Sequence, residues 1–267
     1  MRPAIPIRKF ARLFIPGERW LDRAIWVMVA LILITAAVFG AFYLASRYRM
    51  AKKTVVYEGG EKLAEQVRKN PLDIEARVAL GRSYLARGLY DKAIDQFKEA
   101  LKMDEEHQGA IVFMGIAYMG KGDYDKALKQ FETEIRLYEK AGFAKENRWL
   151  EQAYYNKGVI LFKQKKYDDA VIYVRKALGI RRTDADSHFF LGRIFLEKGA
   201  YDDAITEFRQ CLRFDPKFAD AHYGMGLAYE KKELKDEAIA AYKKAIEVAK
   251  EEGQDFKEAK RALNRIQ

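Results

Sequence analysis

A pattern of small residues that recurs every 34 residues constrains the fold of this 267-residue chain more than any other feature. A glycine returns at steps of 34, 43, 34 and 34 residues, and the odd step equals one period plus an insertion of nine. An alanine stands twelve residues after each glycine. The glycines are Gly81, Gly115, Gly158, Gly192 and Gly226, and the alanines are Ala93, Ala127, Ala170, Ala204 and Ala238. A period in this range is typical of a solenoid built from identical supersecondary units.

Large residues keep the same register, at Phe97, Phe131, Val174, Phe208 and Tyr242. Together these positions resemble the tetratricopeptide repeat (TPR) family, whose unit is a pair of antiparallel helices. The match covers the five repeats 74–107, 108–141, 151–184, 185–218 and 219–252. The resemblance implies an all-α fold, a right-handed α-solenoid of five helical hairpins with capping helices. We expect its glycine and alanine positions to lie where the two helices of a hairpin touch.

The ends of the helices have their own signals. Three glycines fall where the turn between paired helices needs a positive φ, at Gly88, Gly122 and Gly199. Four aspartates near the start of the second helices are predicted to cap free backbone N–H groups, at Asp91, Asp123, Asp168 and Asp202.

Segments outside the repeats complete the predicted organisation. They are a basic tail with a possible interfacial helix at 1–19, a transmembrane helix with its flanks at 20–50, a linker and N-terminal capping helix at 51–73, the repeat region at 74–253 and a C-terminal capping helix at 254–267. The insertion at 142–150 is predicted to lengthen the helices on either side of it, with a docking projection as the alternative.

Residues 24–46 contain no charged side chain over 23 positions. About 20 apolar residues suffice to cross a hydrocarbon core of roughly 30 Å, so this run predicts one transmembrane helix in a lipid bilayer. A cleaved signal peptide is the weaker alternative, because the apolar run is long for such a segment. Basic residues are more numerous before the run than after it, which predicts a single-pass protein of the bacterial inner membrane with its repeats outside the cytoplasm.

The formal net charge of +10 is concentrated before the repeats. Residues 1–53 hold ten Lys or Arg against only Glu18 and Asp22, which leaves the remainder of the chain near neutral. A nucleic-acid-binding surface is normally a basic patch, so no nucleic-acid partner is predicted for the repeats.

Candidates for chemistry are few. His188 and His222 share the fourth repeat position and are predicted to be core residues in successive layers. Cys211 occupies a small-residue position, and no pair of histidines or cysteines has the spacing of a metal site. The chain is therefore predicted not to be an enzyme and to need no cofactor or metal.

The family resemblance implies that the first helices of the repeats line a concave groove. The groove-facing positions are predicted to be Val78, Arg82, Phe113, Ile116, Tyr155, Asn156, Phe162, Phe189, Phe190, Arg193 and Tyr223. This mostly apolar set departs from the two-lysine, two-asparagine, one-arginine clamp by which some relatives hold chaperone C-termini. It predicts a scaffold that binds a partner peptide or helix, in envelope assembly or secretion. The alternative is a homo-oligomer whose groove binds another copy.

Overall fold

The computed structural model describes residues 59–141 and 147–267. The chain divides into two compact units, Met1–Glu61 and Lys62–Gln267, and the second contains all five predicted repeats. The predicted basic tail, transmembrane segment and first part of the linker lie outside the described residues, as do 142–146 of the insertion.

The described residues form helices and no strand, which confirms the all-α prediction. Residues 59–69 form α1, which ends before the Asn70-Pro71 step that disfavours helix. The other helices are α2 Ile74–Ala86, α3 Tyr90–Met103, α4 Gln108–Lys121, α5 Tyr124–Ala141, α6 Arg148–Lys163, α7 Tyr167–Ile180, α8 Ala185–Lys198, α9 Tyr201–Phe214, α10 Ala219–Lys231, α11 Lys235–Glu251 and α12 Lys257–Ile266. Consecutive helices from α2 to α11 pair into five hairpins, and each hairpin packs on the next.

The predicted localisation requires a correction. Within 59–141 and 147–267, no helix is long and apolar enough to cross a membrane. The longest, α5, has 18 residues and carries charges along its whole length, including Asp125, Lys129 and Arg136. Burying such side chains in hydrocarbon is costly. The prediction of a single-pass membrane protein is wrong by this finding, and the segment 24–46 on which it rested lies outside the described residues.

The repeated glycines leave room for a side chain from the second helix of the same hairpin, which is an aromatic ring in four of the five hairpins. A Cβ added at Gly192 would lie 2.6 Å from Phe208, and one added at Gly224 of the next repeat would lie 2.5 Å from the same ring. Phe208 itself is fully buried. The ring is therefore clamped between two helices of successive repeats, and even a methyl group at either glycine would collide with it.

The turns follow the predicted backbone geometry, but two of them have a residue other than glycine at the positive-φ position. Gly199 has a φ of 77° between α8 and α9, in the left-handed region that glycine enters without a Cβ penalty. Lys165 holds the equivalent place between α6 and α7 with a φ of 60°, and Glu233 does so between α10 and α11 with 62°. These two turns therefore carry backbone strain that the glycine turns avoid.

The predicted caps of the second helices need a correction. The N-cap residues of α3, α7 and α9 make no side-chain capping bond, and Asp91, Asp168 and Asp202 lie within the first turns instead. Each aspartate pairs with a lysine 30 residues ahead in the next hairpin; the partners are Lys121, Lys198 and Lys232. Side-chain caps occur on first helices, where Asp73, His107, Asn147 and Asp184 accept backbone N–H bonds.

The end helices close the core of the solenoid. Val67 of α1 is buried with Ala76 and Leu80 of the first hairpin. At the other end, Ala262 of α12 is buried against Ala238 and Tyr242 of the last hairpin. A stack of repeats needs such terminal elements, because an open end would expose the apolar face that each repeat offers to its neighbour.

One buried charge interrupts the regular core. Glu134 of α5 is fully buried at the register where the other repeats have Ala100, Ala177, Cys211 and Ala245. Within the described residues, neither carboxyl oxygen has a hydrogen-bond partner. Burial raises the pKa of Glu134 to about 7, because a charged carboxylate is poorly solvated there. This hairpin also precedes the insertion, and its helix α5 is longer than the 14-residue α3.

Candidate functional site

The first helices of the hairpins, α2, α4, α6, α8 and α10, form one continuous surface that we term the first-helix face. Helix α2 contacts α4, α4 contacts α6, and α8 contacts α10. Helices α6 and α8 are joined through their rings, since Tyr155 lies 5.6 Å from Phe190 between ring centroids. The residues predicted to line a groove therefore belong to one surface.

The structure sorts these predicted residues into three environments. Val78 and Phe190 are each only 5% exposed, so they belong to the core and are corrected as groove-lining residues. Arg82 and Arg193 are exposed. The remaining residues are half-buried; they are Phe113, Ile116, Tyr155, Asn156, Phe162, Phe189 and Tyr223.

The densest part of the face is the aromatic cluster of Tyr155, Phe162, Phe189 and Phe190, which α6 and α8 contribute in equal number. Phe190 lies at its base, 5.3 Å edge-on from Phe162 and 5.6 Å from Tyr155. Phe189 continues the cluster towards Phe218, at 4.8 Å. Rings at these separations stabilise each other beyond the area that they bury, so the cluster is a rigid floor.

Arg193 lies above this floor. Its guanidinium carbon is 5.6 Å from the Phe162 ring, 5.8 Å from Phe189 and 5.9 Å from Phe190. These distances fit cation–π contacts. The sequence register placed Arg193 on this surface, but the three-ring support required the packing of α6 against α8.

A second arginine is supported in the same manner on α2. The guanidinium carbon of Arg82 is 5.0 Å from the ring of Phe113 on α4. Phe113 is in turn held edge-on by Trp149, at 5.3 Å between centroids. Sequence reasoning missed Trp149 as part of this site, because the residue lies in the insertion and has no counterpart in the repeat register.

Polar groups of α6 border the aromatic cluster. Burial, with Asp186 and Asp184 nearby, raises the pKa of Tyr155 to about 12, so its phenol stays neutral and can donate a hydrogen bond. Asn156 donates to the backbone oxygen of Gln152 at 2.8 Å. The side-chain oxygen of Gln152 is buried and has no hydrogen-bond partner among the described residues. The half-buried Tyr155 phenol therefore offers a hydrogen-bond donor beside an apolar floor.

Tyr223 stands apart from the other predicted site residues. Its ring packs 5.6 Å from Tyr242 and 5.2 Å from Phe256, which precedes α12. The C-terminal helix thus occupies the face of the last repeat. Tyr223 contributes to the closed end of the solenoid and is not joined to the aromatic cluster.

The contacts and burial of the two histidines and the cysteine are those of residues that support the fold. His188 contacts Glu207 at 2.8 Å and stacks on Phe214 at 5.6 Å. Burial lowers the pKa of His222 and raises that of the Cys211 thiol to about 12. Across the described part of the chain, no group of three His, Cys, Asp or Glu residues is arranged to hold a metal ion.

Comparisons with known proteins agree with the repeat register. Models of the tetratricopeptide repeat match residues 84–133, 109–183 and 219–251, and a TPR repeat model matches 192–233. The repeat region belongs to the tetratricopeptide repeat family. No curated protein sequence matches the chain.

Solved structures with the same fold are numerous. A MamA crystal structure is 27% identical, with a TM-score of 0.56 over 65% of this chain and 96% of its own. YrrB, described as a TPR protein with an unusual peptide-binding site, is 23% identical, with a TM-score of 0.56 over 77% of this chain and 98% of its own. BtubC from P. vanneervenii is 17% identical, with a TM-score of 0.63 over 75% and 90%. The last two likenesses concern the fold alone.

Proposed function

We propose that this TPR protein is an interaction scaffold whose first-helix face binds an extended segment or a helix of a partner protein. The α6–α8 aromatic cluster with Arg193 above it carries the proposal. Aromatic and arginine side chains dominate the binding energy of protein interfaces, because they bury a large area at low entropic cost. Here they are held rigidly before any partner arrives.

The incomplete burial of the aromatic cluster supports a role in binding a partner rather than a role in the core alone. Phe162 and Phe189 keep part of their surface in solvent although Phe190 beneath them is buried. A partner that covered them would remove this remaining apolar surface from water. YrrB, which shares the fold, is described as having an unusual peptide-binding site, and we propose a peptide ligand for this chain as well. The predicted role in envelope assembly or secretion, and the absence of catalysis, stay predictions.

A displayed library of random short peptides tests the proposal on the full-length chain. We expect the wild-type protein to enrich a defined set of peptides, and Arg193→Glu and Phe162→Ala to lose that set. Ile172→Ala is the matched control, since Ile172 is 52% exposed on the second helix α7, away from the first-helix face. Circular dichroism must show that each variant is folded.

Two results would contradict the proposal. One is that wild-type protein enriches no peptide over the bare support. The other is that Arg193→Glu retains the wild-type set. Light scattering of the same samples addresses self-association: a mass that rises with concentration, and that Arg193→Glu reduces to the monomer, would assign the face to a second copy of this chain.

A further inference from the structure

Arg82 and Arg193 are the two arginines among the predicted groove residues. Neither forms an ion pair with any residue in the described part of the chain, although both are exposed. Lysines at the C-terminal ends of first helices behave differently. Lys198, for instance, pairs with Asp168 of the preceding hairpin.

The ring contacts fix how the two guanidinium groups are presented. A guanidinium that lies over a ring directs its N–H groups outward along its edge, where they can donate two parallel hydrogen bonds to a carboxylate. Arg82 rests on Phe113 at 5.0 Å, and Arg193 has three rings at 5.6 to 5.9 Å. Because the rings already restrain the two arginine side chains, binding removes little further conformational entropy from them.

The surface between the two arginines is apolar. Helices α4 and α6 separate α2 from α8 and contribute the half-buried Ile116, Met119 and Val159. Neighbouring packed helices lie about 8–10 Å apart, so three steps span about 25–30 Å. An extended chain covers that distance with about eight residues at about 3.3 Å each.

We infer that the partner segment is an extended peptide with two acidic side chains flanking apolar residues, one carboxylate for Arg82 and one for Arg193. This inference rests on the proposed function and names the chemistry of its ligand. A single chain has only one terminal carboxylate, and the two arginines lie on helices three steps apart. At least one site therefore receives an Asp or Glu side chain, and the inference assigns side chains to both.

Among residues 59–141 and 147–267, no carboxylate lies within ion-pair distance of Arg82 or Arg193. Asp186, the acidic residue of α8 nearest to Tyr155, precedes Arg193 by about two helical turns, and Arg193 is not among the charges that shift its pKa. The pKa of Asp186 is raised, first by burial and then by Asp184, while Arg181 opposes the shift. Arg193 is therefore available to an external anion.

Peptides enriched by the full-length wild-type protein provide the probes. We expect them to contain more Asp and Glu than the input library. After resynthesis, replacing either acidic residue with its amide should weaken binding about tenfold in a fluorescence titration, while amidation of the carboxyl terminus should leave the affinity unchanged. Arg193→Gln and Arg82→Gln should each cost about tenfold, and each should cancel the effect of exactly one peptide substitution.

Arg213→Gln is the matched control, because Arg213 also lies over a ring, 4.7 Å from Phe214, but on the second helix α9. It should leave the affinity unchanged. Enriched peptides without an acidic excess, loss of binding on amidation alone, or an equal loss from Arg213→Gln would overturn the inference while leaving the proposed function intact. If no peptide is enriched, both fall together.

Discussion

Two neighbouring positions of each repeat behave in opposite ways. The eighth position is glycine in all five repeats and faces the inside of the hairpin, where a large side chain from the second helix fills the space above it. The ninth position, one residue later, belongs to the first-helix face and holds Arg82, Ile116, Val159, Arg193 and Leu227. Adjacent residues on a helix point about 100° apart, so one serves the hairpin interior and the other lies on the first-helix face. The interior is uniform because the same packing geometry recurs in every hairpin. The face can differ between repeats because binding a partner does not require the same side chain in each repeat.

The largest expected effect comes from placing a side chain in the uniform interior. Gly192→Val should lower the free energy of unfolding by about 3 kcal/mol or more, because the Phe208 ring is held by two glycines and has no space to retreat. Chemical denaturation of the full chain measures this.

Gly179→Ala is the matched control within α7, where a Cβ meets nothing within 4 Å. It should raise stability by about 0.5–1 kcal/mol through helix propensity. Equal destabilisation by both changes would show that close packing at the eighth position is not what requires glycine.

The next effect concerns Glu134, which breaks the uniformity of the interior. Its folded-state pKa of about 7 exceeds the ordinary value of 4.5. The folded form therefore retains a proton that the unfolded form releases, so stability is full below about pH 4.5, falls as the pH rises to about 7, and is constant above.

Glu134→Gln removes this titration. It should raise the free energy of unfolding by about 3 kcal/mol relative to wild type at about pH 8, and should change it very little near pH 4. Thermal melts across this range measure the difference. Glu139→Gln changes an exposed carboxylate on the same helix and should leave the pH profile as it is. A Glu134→Gln profile parallel to that of wild type would contradict the assigned burial cost.

The smallest effect lies in the turns, which are uniform in geometry but not in residue type. Lys165→Gly should raise the unfolding free energy by about 0.5–1 kcal/mol, because Lys165 adopts a φ of 60° that costs a side-chain-bearing residue about 1–2 kcal/mol. Lys166→Gly is the control at the next residue, whose φ is −85°. It should destabilise slightly, since glycine there only adds freedom to the unfolded chain.

The repeat register predicted the helical hairpins and the glycine turns, since each depends on contacts inside one repeat or between identical neighbours. Its errors have physical causes. Asp91, Asp168 and Asp202, which were expected to cap second helices, lie two residues after the N-cap and pair with lysines in the next hairpin instead. Phe190 was assigned to the open face, but the rings of α6 cover it.

The sequence by itself determined a stack of helix pairs, because a strict spacing of small and large residues leaves only one way for two helices to approach each other. Tertiary structure alone decided which face residues are open, how Trp149 supports Phe113, and that Arg193 stands on rings from two different repeats without a carboxylate partner in the described part of the chain. These properties depend on which side chains adjacent repeats bring together, and the repeat spacing does not specify those neighbours.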